Sequence, residues 1–61
     1  MTTFQCFWRG FKVFKRVFWL RGEQVRIYKV FINNQWITNT SLLGLMDQID
    51  RIVGRYTYDG L

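Results

Sequence analysis

The stretch FKVFKRVFWL, residues 11–20, places bulky apolar groups on both sides of whichever element it forms. As a strand it sets Phe11, Val13, Val17 and Trp19 on one face with Lys15, and Lys12, Phe14, Arg16, Phe18 and Leu20 on the other. As a helix it continues a run of Phe4, Phe7, Phe11, Phe14 and Phe18 at spacings of three and four, with the basic residues elsewhere on the wheel. Side-chain chemistry favours the strand. Phe, Val and Trp fill most of these positions and lose rotamer freedom in a helix while fitting a pleated surface. Residues 6–22 contain no Ala, Glu or Gln to favour a helix, and no Ser, Thr, Asp or Asn to cap one.

QVRIYKVFIN is rich in β-branched and aromatic residues and follows Arg21-Gly22-Glu23, which can turn the chain. A strand is expected from about Gln24 to Ile32. Asn33-Asn34 offers two residues tolerant of positive φ, the requirement of a type I′ hairpin, and QWIT continues as the next strand. That turn sets Ile32 opposite Gln35, Phe31 opposite Trp36, Val30 opposite Ile37 and Lys29 opposite Thr38. One face then holds Val25, Ile27, Phe31 and Trp36; the other holds Tyr28, Val30, Ile32 and Ile37 with Arg26. Neither face is plainly polar, so the sheet reads as covered on both sides.

The period then changes. Leu42, Leu45, Met46, Ile49, Ile52, Val53 and Tyr56 recur at three and four, with Asp47, Gln48, Asp50, Arg51 and Arg55 on the opposite arc, an amphipathic helix. Thr40 or Ser41 can cap its start, Asp47 and Arg51 lie one turn apart, and Gly44 either weakens the first turn or lets the helix approach the sheet. The expected architecture is one α+β domain over residues 1–61: an antiparallel sheet of about three strands (4–38) packed on a C-terminal helix (41–55). Residues 4–9 are expected as an extra or extended strand, and 56–61 as a short tail.

Size sharpens this picture. A 61-residue chain has a marginal core, and one helix covers one side of a sheet. The chain carries six Phe, three Trp and three Tyr, more aromatic surface than such a core can hide, so part of it should face a partner. With one cysteine, Cys6, and no histidine, an internal disulfide framework and a Cys/His zinc site are excluded. The lone thiol fits a reducing compartment, and the chain reads as cytoplasmic. No run is long and apolar enough for a transmembrane helix, because Arg9, Lys12, Lys15, Arg16 and Arg21 interrupt the richest region.

Net charge is +5 and unevenly spread: residues 1–38 hold seven Lys or Arg against the single acid Glu23. Catalysis has no visible machinery, since Asp47 and Asp50 read as solvated helix charges, and no cofactor or metal is expected. The candidate chemistry is binding. Lys12, Phe14, Arg16 and Phe18, with Arg26 and Tyr28 beside them on the neighbouring strand, would stack bases on rings and hold phosphates with cations, for DNA or RNA. The competing reading is an interaction module, a homodimer burying the second sheet face or a unit that docks on a host protein. A basic amphipathic helix over residues 4–20 lying on a membrane surface is the third.

The order of WRGFKVFKR, VRIYKVFIN and TSLLGLMDQID, residues 8–52, resembles small proteins encoded by phages and prophages. That resemblance implies size and element order and carries no assigned activity. The pattern also looks like three-stranded DNA-binding domains with one packed helix, such as integrase arm-binding domains, an analogy of fold.

Overall fold

A computed structural model describes the backbone of residues 1–59 and the side chains of residues 1–54. Four strands, β1 (Thr2–Trp8), β2 (Phe11–Leu20), β3 (Glu23–Ile32) and β4 (Gln35–Asn39), precede one helix, α1 (Leu42–Asp59). The sheet is an antiparallel meander in sequence order. The expected three strands are therefore four. Residues 11–20 are strand, which removes the helical alternative for residues 4–20.

All three hairpins close through two residues at positive φ, the type I′ signature: Arg9-Gly10 at 53° and 83°, Arg21-Gly22 at 51° and 79°, Asn33-Asn34 at 55° and 62°. The mirror-image turn matches the right-handed strand twist, so these dipeptides set a tight meander. The register between β3 and β4 follows the expected pairing, with Phe31 opposite Trp36 and Val30 opposite Ile37.

One irregularity shapes the sheet. In β1 the pairing shifts between Phe4, opposite Phe14, and Cys6, opposite Val13, leaving Gln5 as a bulge. A bulge inserts one residue and reverses the alternation beyond it. Phe4 and Phe7, three apart, consequently share a face, while Cys6 and Trp8 turn to the other.

α1 covers part of that other face and leaves Trp19, on the same side, 70% exposed. Val13 and Val30, directly paired, pack with Ile32 against Leu45 and Ile49 of the helix, and Cys6, Trp8, Phe11, Tyr28, Ile37, Leu42, Ile52 and Val53 surround them. Asn39 ends β4 and begins the helix. Its Oδ1 accepts from the Ser41 N–H at 2.8 Å, and its Nδ2 donates to Gln48 Oε1 at 3.0 Å. Ser41 caps α1, its Oγ accepting from the Gly44 N–H at 3.2 Å. A Cβ on Gly44 would lie 2.9 Å from Asn39 Nδ2, so this glycine permits the helix to approach the strand end. Asp47 and Arg51 pair at 2.9 Å, as their spacing suggests. α1 runs past the expected end at 55 into the expected tail; Gly60, Leu61 and the side chains of Arg55 and Tyr56 lie outside the described residues. No helix among the described residues is long and apolar enough to cross a membrane.

Candidate functional site

The face opposite the helix carries a chain of rings. Phe7 meets Phe4 edge to face at 5.1 Å, Phe4 meets Phe14 at 6.3 Å, Phe14 meets Trp36 at 6.2 Å, and Trp36 meets Phe31 at 5.2 Å. These separations and inclined planes are the favoured geometry of aromatic quadrupoles, so the cluster supports itself without a covering layer. It remains open all the same: Phe4, Phe7, Phe31 and Trp36 are each about half exposed, from 49% to 61%.

Cations lie among the rings. Lys29, paired with Phe14, places its Nζ 4.6 Å from the centre of the Trp36 ring, and Arg16 lies over Phe18 at 5.4 Å. Lys12 stands opposite Phe7. None of Lys12, Arg16 and Lys29 has a carboxylate partner among the described residues. The one acid on this face, Glu23, stands at the far end of β3 beside the Arg21-Gly22 turn.

Of the six residues expected to bind together, four share this face: Lys12, Phe14, Arg16 and Phe18. Arg26 and Tyr28 do not. They pair with Val17 and Lys15, which point to the helix side, so both are corrected to the opposite face. The cause is the turn. Had Glu23 belonged to the loop, Leu20 would face Gln24 and the even-numbered residues of both strands would align. The turn is instead two residues long, Leu20 faces Glu23, and β3 presents its odd-numbered residues beside Phe14 and Phe18.

The same parity brings in Lys29, Phe31 and Trp36, which sequence reasoning did not join to the site. The β3–β4 register already put Phe31 and Trp36 on one face, and a correct β2–β3 turn length was the missing piece. Phe7 enters through the Arg9-Gly10 turn and Phe4 through the bulge, which no residue type announces.

On the covered side, Asp50 fastens the helix to the first hairpin. Trp8 Nε1 donates to its Oδ1 at 2.8 Å, and Arg9 Nε donates to the same oxygen at 2.9 Å. The indole hydrogen bond foremost holds the Asp50 carboxyl below its ordinary value; desolvation opposes this, and the Arg9 hydrogen bond and charge add to it. Asp50 is thus a structural tie rather than a free surface charge.

No protein-family model, curated protein or solved structure matches this chain.

Proposed function

We propose that the uncovered sheet face binds single-stranded nucleic acid, bases stacking on the exposed rings and the backbone running along Lys12, Arg16 and Lys29. The observation that carries this reading is the interleaving itself: half-exposed rings with cations between them that no carboxylate among the described residues neutralises. Base–aromatic stacking contributes roughly 1–3 kcal/mol per base and tolerates any sequence, while the cations supply a salt-dependent attraction to phosphate. Two further features support it. The helix keeps Asp47 and Asp50 on the far side of the sheet, so the face is locally more basic than the chain as a whole. Phe and Trp are also rigid, with two side-chain torsions each, so ordering them on a ligand costs little entropy.

Duplex is the weaker candidate. A groove reader needs polar side chains reaching base edges, and here the protruding groups are rings. The expected binding mode is therefore sequence-tolerant. Fluorescence anisotropy of a labelled oligothymidylate tests it: three phosphate contacts on a single strand give a log–log salt slope of about −2, or roughly a 20-fold loss of affinity between 50 and 200 mM salt. Trp36→Ala and Phe7→Ala should each weaken binding by about 1–3 kcal/mol.

A second reading has its own support. Four large half-exposed apolar side chains on one face also suit a protein partner, a second copy or a host protein. Aromatics carry that mode too, but its affinity would vary little with salt, which separates the two in the same titration.

A further inference from the structure

We infer that two copies of the chain join edge to edge through β3, with Gln24 and Arg26 pairing reciprocally about a two-fold axis at Val25. The argument starts from the uneven lengths of the strands. β4 ends where Asn39 pairs with Tyr28, so among the described residues no strand lies beside the outer edge of β3 from Glu23 to Ile27.

Which backbone groups point outward follows from the turn. A two-residue hairpin closes on a hydrogen-bonded pair, here Leu20 and Glu23, and alternation along an antiparallel ladder then directs Glu23, Val25 and Ile27 inward to β2. Gln24 and Arg26 direct their N–H and C=O groups outward. An independent contact agrees: Val17, the partner of Arg26, turns its own groups away from β3, its N–H donating to Met1 O at 3.0 Å and its C=O accepting from Met1 N at 2.9 Å. The free edge therefore presents two donors and two acceptors, and both side chains are exposed.

A second copy is the occupant this edge fits. Antiparallel pairing centred on Val25 sets Gln24 opposite Arg26 of the second copy, and Arg26 opposite its Gln24. Both are narrow pairs, which gives four backbone hydrogen bonds. Neighbouring registers fit worse. Centring on Arg26 sets arginine against arginine and drives Gln24 against Tyr28, whose outward groups are taken by Asn39. Centring on Gln24 leaves Arg26 facing the Gly22 turn and keeps only one narrow pair. In the Val25 register Glu23 of the second copy meets Ile27, the last open position, and its Arg21-Gly22 turn comes level with Asn39 at the end of β4, so the slot is filled with no room to spare. The two-fold axis is perpendicular to the sheet, which places both ring-bearing faces on the same side of one continuous sheet. An exposed edge of this kind is a ready template for another strand, and this slot admits about five residues. The interface is small, so the association is weak and concentration-dependent. It stands independently of what the ring-bearing face binds.

Sedimentation velocity on the full chain from about 10 µM to 1 mM tests this. The expected result is a mass rising from 7.5 kDa toward twice that value. Two symmetry-related cross-strand charge pairs then set the direction of the variants: Gln24→Glu tightens self-association by about fivefold and Gln24→Arg weakens it by about as much. Gln35→Glu makes the same change of charge on β4 and serves as control, with a smaller effect expected. Arg26→Pro removes only an outward donor, leaves the β2 ladder intact and abolishes the dimer. A single 7.5 kDa species across the whole range overturns the proposal. So does a dimer indifferent to Gln24 changes, or one abolished by Trp36→Ala, which would mark pairing through the ring-bearing face.

Discussion

The indole of Trp8 and the carboxylate of Asp50 join the first hairpin to the helix, Nε1 donating to Oδ1 across 2.8 Å. This bond ties residues 42 positions apart, and it is the main reason the Asp50 carboxyl stays ionised below its ordinary range. A carboxyl depressed in the folded state contributes stability that is complete above its unfolded value, about 3.9, and is lost as pH falls from there through the lower folded value. Urea unfolding should therefore show a stability loss setting in below about pH 4. Asp50→Asn should lower the midpoint at pH 7, and its difference from wild type should shrink as pH falls below about 4. Trp8→Phe removes the chief cause of the depression and should flatten the same acid limb.

The two helical glycines within the described side chains should respond in opposite directions to alanine. Replacing glycine inside a helix ordinarily stabilises by up to about 1 kcal/mol. Gly54 has nothing within 4 Å of a built Cβ, so Gly54→Ala should show that gain. Gly44→Ala must displace Asn39, which holds both Ser41 N–H and Gln48, and losing those two hydrogen bonds costs about 1–3 kcal/mol. Thermal or denaturant melts of the two variants should bracket wild type.

The core is small enough for one deletion to matter. Leu45 and Ile49 are fully buried against Val13 and Val30. Leu45→Ala or Ile49→Ala should cost about 2–5 kcal/mol, a large share of a small domain's stability, and should leave much of the population unfolded at 37 °C by circular dichroism. Leu43, 77% exposed two positions after the Ser41 cap, should tolerate alanine with little change.

Arg21 occupies the left-handed region at φ 51°, a conformation costing a non-glycine residue roughly 1–2 kcal/mol and costing asparagine less. Arg21→Asn should thus raise stability by up to about 1 kcal/mol in chemical denaturation. The same change at Arg9 should not, because it would sever the contact with Asp50.

The helix, a cap at Thr40 or Ser41, the Asp47–Arg51 pair and the Asn33-Asn34 hairpin were all legible from residue type and spacing. Each rests on local rules. What stayed hidden depends on counting by one. Arg9-Gly10 turns the chain although arginine is a poor left-handed residue, so residue types left open whether 4–9 form an extra strand or an extension. A loop taken as three residues rather than two sent Arg26 and Tyr28 to the wrong face. The Gln5 bulge gave Phe4 and Phe7 a spacing of three that imitates a helix while serving a strand. A period-2 element turns over completely with each single-residue shift, so the composition of the open face was readable and its membership was not.

The central claim is that this ring-bearing face receives single-stranded nucleic acid, and the most direct measurement is an NMR titration of the labelled protein with an oligothymidylate at low salt. The account predicts shifts concentrated on the side chains of Phe4, Phe7, Phe14, Phe31, Trp36 and Lys29, fading as salt is raised, with Leu45 and Ile49 unmoved. A spectrum that does not change at low salt, or one whose changes fall on the helix and leave those rings untouched, would contradict it.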